Sequence, residues 1–373
     1  MKFLVARTRE WLGLSGSVGK EAAGAAKRGA RHAGMALAQP DLSNPSQSGL
    51  LRRSLSWRGM AAAAGLALSM GAQAAYPDKP VQVIISFPPA GATDVLARAV
   101  GQRLSTELGQ SVVVDNKPGA GGAIGLMAGA RAAPNGYVLY LAATTNQAIA
   151  AAIYKDQQAH LAKDFEPIGL IGYVPHALVV PASLPVKSVA ELIDYIKAAP
   201  GEYNYASQGV GTLSHLEGEL FTARYGLKIT HIPYKGSVQA LPDVANGTAT
   251  MMFDSVTGSM PLAKGGKLRY LAVAAPARVA LLPDVPTLGE AGIENVIPDN
   301  RFGLFAPKGT PPDILETVSA ALKRALADPD LQASLATQAV QLMYAPGPDL
   351  QKVVEDEHEY WAGVVKSANV TAK

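Results

Sequence analysis

The sequence predicts an α/β protein made of two doubly wound units. From Tyr76 onward, short β-branched runs alternate with stretches of helical periodicity, at the spacing of repeated strand–helix units. A turn of small residues between a strand and a helix occurs at 87–94 and returns at 207–215. With 373 residues, 48% of them hydrophobic, the chain is long enough to bury two cores.

The first turn organises the reading. Val81–Phe87 is a β-branched strand that stops at Pro88-Pro89, and Leu96, Val100, Leu104 and Leu108 then recur at helical spacing over Asp94–Leu108, with Gly109 closing the helix. A helix N-terminus carries amides without intrahelical partners and about half a positive charge. Phe87, Ala90, Gly91, Thr93 and Asp94 therefore frame half of a small-anion site that needs no basic side chain. The alternative is that Thr93 or Asp94 simply caps the helix.

Ser111–Val114 is the next strand, followed by a glycine run, a helix through about Ala132, and the strand Tyr137–Ala142. Gly119-Ala-Gly121-Gly122-Ala-Ile-Gly125 superficially matches a dinucleotide fingerprint. Asp115 to Pro118 separate it from its strand, however, and the following strand ends in Ala142-Ala143-Thr144 without an acidic residue. It reads as close backbone packing or as a second loop of backbone donors. Ala143, Thr144 and Asn146 precede a helical run, Ala148–Tyr154, and add hydroxyl and amide donors beside the first turn; capping by Thr145 or Asn146 is the other reading.

Near Ile168–Val180 the chain crosses into a second unit. Ser188-Val-Ala-Glu191 is a capping box for a helix ending at Pro200-Gly201, and Tyr203–Ala206 is a strand. The second turn offers Ser207, Gly209, Gly211 and Thr212 as donors, while Ser214 and Glu217 have capping-box spacing. His215 either reaches an anion or packs. The strands Ile229–Pro233 and Thr248–Phe253 follow, and Asp254 at the end of the latter accepts a ligand ammonium or hydroxyl, or caps the next helix. Leu268–Ala274 is a further strand, Arg301–Ala306 returns the chain to the first unit, and Asp313–Leu326 and Leu350–Val365 are helices that pack there. Glu355-Asp-Glu-His-Glu359 spreads around its helix and reads as a solvated face rather than a metal site.

Residues 51–75 carry Arg52, Arg53 and Arg58, a short apolar run, and small residues ending Ala72-Gln73-Ala74, the pattern of an export signal. The paired arginines admit the twin-arginine route, and the general pathway is the reading adopted. Residues 1–50 lack periodicity, and Met35 is an alternative start. Residues 1–75 hold ten Lys/Arg and three Asp/Glu, which leaves 23 basic and 27 acidic residues beyond them. The remainder is slightly acidic, with no basic stripe for nucleic acid. Without cysteine there is no disulfide, thiolate metal site, Cys nucleophile or lipid-acceptor cysteine.

Taken together, several stretches resemble one family, the substrate-binding proteins of tripartite tricarboxylate transporters, also called the Bug family. They are Tyr76-Pro-Asp-Lys-Pro80, Phe87-Pro-Pro-Ala-Gly-Ala-Thr-Asp94, Val114-Asp-Asn-Lys-Pro-Gly-Ala-Gly-Gly122, Ser207 to His215, Pro233-Tyr-Lys-Gly236, Met252-Phe-Asp254, Pro283-Asp-Val-Pro-Thr287 and Phe305-Ala-Pro-Lys-Gly-Thr-Pro311. The resemblance implies a type II periplasmic-binding fold, two α/β lobes closing on a small carboxylate. It also implies that the 87–94 and 143–146 loops hold the ligand from one lobe, and the 207–215 turn and Asp254 from the other. Ala90 departs from the family by replacing the first glycine of a usual Gly-Gly pair, and Val238-Gln239 stands where smaller residues are usual.

The expected organisation is a leader over 1–75, one lobe of 76–175 with 302–373, and a second lobe of 176–301. Crossovers near Val174–Ala177 and Asn300–Phe302 act as the hinge. The expected function is a periplasmic receptor, monomeric and without cofactor, that delivers its carboxylate to membrane permease subunits. An exported enzyme is the competing reading. The chain lacks Gly-x-Ser-x-Gly and His-Glu-x-x-His, but spacing alone leaves a Ser207, His215 and Asp254 triad open. A receptor signalling to a sensor kinase is the third.

Overall fold

The computed structural model describes residues 76–293 and 299–371. The leader and export signal expected over 1–75 lie outside the described residues. In chain order the first elements are β1 (Val81–Ile85), α1 (Ala92–Leu108), β2 (Val112–Asn116), α2 (Ala123–Ala130), β3 (Val138–Ala143) and α3 (Thr144–Ile153). The strands pair in parallel in the order β2-β1-β3. Alternation along β1 decides which helix covers which face. Val83 and Ile85 join Leu96, Val100 and Leu104 of α1 in one core, while Ile84 joins Leu126 of α2 in the core on the opposite side.

The chain continues through α4 (Leu161–Asp164) and β4 (Phe165–Pro181), then α5 (Val189–Ala198), β5 (Tyr203–Ser207), α6 (Leu213–Tyr225), β6 (Ile229–Pro233), α7 (Ser237–Ala245), β7 (Met251–Ser255), α8 (Val256–Lys264) and β8 (Leu268–Ala274). Here too the order β7-β5-β6 is parallel. Phe221 of α6 packs under Tyr205 and Phe253 in one core, and Ala240, Leu241 and Val244 of α7 cover Ala206 and Met252 in another. The chain closes with β9 (Asp299–Pro307), α9 (Pro312–Leu326), α10 (Pro329–Ala336), β10 (Gln341–Pro346) and α11 (Gly347–Ser367).

The parallel runs expected from the strand–helix repeats are thus three strands each. The strands that join them are antiparallel. β4 pairs with β9 from Phe165 to Pro175 and with β7 and β8 from His176 onward, and β3 also meets β9 antiparallel. A strand that leaves one half of the sheet for the other meets the returning strand running the opposite way, and periodicity carries no information on that direction. The two halves are also tied at the back by Ile149 of α3, Leu213 and Leu216 of α6, and Trp361 of α11, which share one apolar cluster.

Three local expectations are corrected. The helix expected at Ala148 begins at Thr144, so Thr144, Thr145 and Asn146 form its first turn, and its N-cap, Ala143, makes no side-chain cap bond. The Ser214–Glu217 capping box does not form: Thr212 is the N-cap and accepts from the His215 amide, Ser214 Oγ donates to the Phe253 carbonyl, and Glu217 turns to His176. The acidic stretch in α11 is exposed except at Glu357, which is 6% exposed and accepts a hydrogen bond from Thr145 Oγ1 at 2.7 Å. The Ser188–Glu191 box is present, with Ser188 Oγ accepting from the Glu191 amide at 3.2 Å.

Candidate functional site

The carboxyl ends of the parallel strands from both halves of the sheet open onto one cavity of about 220 Å³. The first half contributes Ser86, Phe87, Gly119 to Gly122 and Tyr154. The second contributes Gln208, Gly209, Val210, Pro233, Tyr234 and Lys235. The lining holds no carboxylate side chain, and its one charged residue is Lys235, which is exposed. The halves touch here: Tyr154 donates from its hydroxyl to the Val210 carbonyl at 3.2 Å. A Cβ on Gly121, whose φ is +61°, would lie 2.5 Å from that same carbonyl oxygen, so only glycine lets the backbones meet.

The first turn is braced from within. Ala90 has φ +66°, and its amide donates to Asp94 Oδ2 at 2.9 Å. The same oxygen accepts from Arg98 Nε at 2.9 Å, and Asn116 Nδ2 donates to Asp94 Oδ1 at 2.8 Å and to the Phe87 carbonyl at 3.0 Å. Burial pushes the Asp94 carboxyl up, but the bonds from Arg98, Ala90 and Asn116 outweigh it and hold the group below the usual carboxylate range. Of the residues expected in this turn, Phe87 lines the cavity. Ala90, Gly91, Thr93 and Asp94 lie outside its lining, and Gly91 is the helix N-cap without a side-chain bond.

The second turn is braced in the same way. Gly209 lines the cavity; Ser207, Gly211, Thr212 and His215 lie outside its lining. Ser207 Oγ accepts from the Gly209 amide at 3.1 Å, and Thr212 Oγ1 donates to the Gly209 carbonyl at 2.7 Å. Asp254 is wholly buried, and its Oδ1 accepts from Gln208 Nε2 and from Ser237 Oγ, each at 2.6 Å. It thereby joins the 208 loop to the start of α7. The cap of α8 falls to its neighbour Ser255, which accepts from the Gly258 amide. A Ser–His–Asp relay is not assembled, because Ser207 Oγ pairs with His231 Nε2 at 2.7 Å rather than with His215. Ala143 and Thr144 face β9, Thr144 donating to the Arg301 carbonyl at 3.3 Å, and Asn146 Oδ1 accepts from the Leu213 amide at 2.7 Å.

A family model described as tripartite tricarboxylate transporter family receptor matches residues 96–370. The chain belongs to this receptor family. Protein BugT of Bordetella pertussis is 35% identical over 313 residues, covering 84% of this chain and 96% of BugT. The solved structure of the periplasmic binding protein BugD is 33% identical with a TM-score of 0.76, over 79% of this chain and 99% of BugD. An R. palustris protein solved with adipate is 34% identical with a TM-score of 0.77, over 79% of this chain and 99% of its own. The two-lobe binding-protein fold follows from these likenesses.

In this receptor, His176, Glu217, Asp254, Asp299 and Glu357 are buried and influence one another electrostatically. His176 Nδ1 lies 2.7 Å from Glu217 Oε2, with both side chains buried. Burial opposes charge on His176, but Glu217, with Asp254 and Asp299 behind it, raises its pKa above the ordinary value. Burial pushes Asp299 up to about 6, and raises Glu357 as well against the opposing Arg301. Among the described residues, no group of three or more His, Asp or Glu side chains is arranged to hold a metal ion.

Sequence reasoning missed several lining residues, namely Ser86, Tyr154, Gln208, Val210, Tyr234 and Lys235. Position was the available signal for most: Ser86, Gln208 and Tyr234 sit at or just past the carboxyl ends of β1, β5 and β6. Tyr154 ends a helix and reaches the cavity only through the packing of α3, which no local pattern announces.

Proposed function

We propose that the protein is a periplasmic receptor that closes two lobes on one small carboxylate and delivers it to the membrane permease subunits of a tripartite transporter. The carrying observation is the cavity itself, walled by glycine-rich backbone from both lobes, free of acidic side chains, with Lys235 at its edge. Glycine-rich backbone and a single cation favour an anion, and each charged hydrogen bond in such a cleft contributes roughly 1.5–3 kcal/mol. The adipate bound to the R. palustris relative is of the same chemical class.

The lobes in this reading are residues 76–175 with 302–373, and residues 176–301, following a leader over 1–75. They turn about the paired segment where Val174 and Pro175 of β4 face Asn300 and Asp299 of β9. Phe87 and Gly209 touch the ligand, joined by the Gly119–Gly122 loop. Ala90, Gly91, Thr93, Asp94, Ala143, Thr144, Asn146, Ser207, Gly211, Thr212, His215 and Asp254 hold those turns in place. The receptor acts as a monomer, without cofactor and without turnover.

A calorimetric and thermal-shift screen of the purified protein against mono-, di- and tricarboxylates tests the proposal. One carboxylate is expected to bind one per chain and, at a hundred times its Kd, to stabilise the fold by about 2.7 kcal/mol. Catalytic consumption of an ester or acid, or stabilisation by amines and sugars but not by carboxylates, would overturn it.

A further inference from the structure

Beneath the second turn lies a stack of three rings that the receptor reading leaves unused. The imidazoles of His215 and His231 are stacked with centroids 4.4 Å apart, and His231 stacks in turn on Tyr205 at 4.7 Å. Each imidazole addresses the turn with a different nitrogen. The Gly211 amide donates to His215 Nδ1 at 3.4 Å, which requires a lone pair on Nδ1 and puts the ring proton on Nε2, facing Glu219 Oε1 at 3.9 Å. Ser207 Oγ accepts from the Gly209 amide and lies 2.7 Å from His231 Nε2, which takes the hydroxyl hydrogen when the ring proton of His231 is on Nδ1.

We propose that His215 and His231 are a positioning pair that holds the Gly209–Gly211 turn against the cavity by presenting two unprotonated ring nitrogens to it, so that acid loosens the turn. A proton on His215 Nδ1 would set a donor against the donor of Gly211, and protonation of both rings would bring like charges together within the stack. The surroundings offer little compensation. Glu219 is the acidic side chain that faces His215, and it is shared with the hydroxyl of Tyr205, which donates to it; Tyr154 packs over Gly211. His215 is 3% exposed. Burial lowers the pKa of both rings, that of His231 to about 3, with His215 adding to the effect there. Gly209 and Val210 line the cavity, so the consequence for binding, stronger in neutral than in acid solution, rests on the carboxylate-receptor reading.

The test needs no ligand, so its failure and that of the receptor reading are separate results. Imidazole 15N resonances of the purified protein are recorded from neutral pH into acid, together with the amide resonances of Gly209 and Gly211. The expected result is a proton on Nε2 of His215 and on Nδ1 of His231, with both glycine amides shifting along the His215 titration. His215→Phe keeps the stack and removes the acceptor; His215→Asn places an amide oxygen where Nδ1 stood. At one fixed pH, Gly211 amide exchange is expected to speed at least about tenfold in the Phe variant and to stay within about twofold of the parent in the Asn variant. A proton on Nδ1 of His215, or equal Gly211 exchange in all three proteins, would overturn the assignment. Should the Phe variant not fold, the tautomers and titration of the parent protein decide it.

Discussion

Asn146 Oδ1 accepts a hydrogen bond from the Leu213 amide at 2.7 Å, so a side chain from the first turn of α3 satisfies an amide at the start of α6, 67 residues away. On the lobe assignment of the proposed function, this bond is made only when the lobes are together. Asn146→Ala leaves a first-turn amide of α6 without a partner, at a cost of about 1–2 kcal/mol assigned to the closed form. Ligand affinity is expected to weaken by roughly tenfold, read by calorimetric titration, with a larger radius of gyration in small-angle scattering. Unchanged affinity and radius would show that the bond does not govern closure.

His176 and Glu217 make the second prediction. Removing one member of a buried pair strands the other, so Glu217→Ala is expected to cost about 3–5 kcal/mol, whereas His176→Leu combined with Glu217→Met costs much less. The pH dependence has a definite sign. Glu217 raises His176 above its ordinary value, so the folded state keeps a proton that the unfolded chain releases. This stability is complete below about pH 6.5, the unfolded value, and is lost as pH rises through the folded one. Urea midpoints of the parent protein should fall as pH rises above about 6.5, and fall less in the double variant.

Ala90 occupies the left-handed region, at φ +66°, in the turn before α1. That conformation costs a non-glycine residue roughly 1–2 kcal/mol, and glycine returns part of the gain by loosening the unfolded chain. Ala90→Gly is therefore expected to stabilise the protein by about 0.5–1 kcal/mol in urea denaturation. Destabilisation would show that the methyl group contributes contacts outweighing the strain.

Asp94 gives the fourth prediction. Its carboxylate accepts from the Ala90 amide, Arg98 and Asn116, and it is 4% exposed. Asp94→Ala should cost about 2–3 kcal/mol by orphaning those donors. Because the folded pKa is depressed, the contribution is present above about pH 3.9 and is lost as pH falls through the folded value. The stability difference between the parent protein and Asp94→Ala should therefore narrow as pH falls below about 3.9.

Much of the fold was legible. Ile84-Ile85 before Pro88-Pro89, and Leu96, Val100 and Leu104 at helical spacing, mark β1 and α1 because burial of one face imposes its period on the sequence. β10 and α10 were not legible: Gln341–Pro346 is a six-residue strand that pairs with β4 at positions set by the return of the chain, not by its own pattern. The site divides in the same way. Phe87 and Gly209 could be placed at strand ends from the sequence, whereas Tyr154 and Val210 meet through packing of elements 56 residues apart.

The sequence by itself determined the alternation of strands and helices, the two small-residue turns, and the absence of any cysteine chemistry, because periodicity and composition are local properties. The tertiary structure alone decided that β4 and β9 run antiparallel, that Asp94, His215 and Asp254 hydrogen-bond to the turns, and that a glycine loop completes the cavity wall. Hydrogen-bond partners are chosen by distance in space, and distance in space between remote segments is fixed only when the two cores have packed.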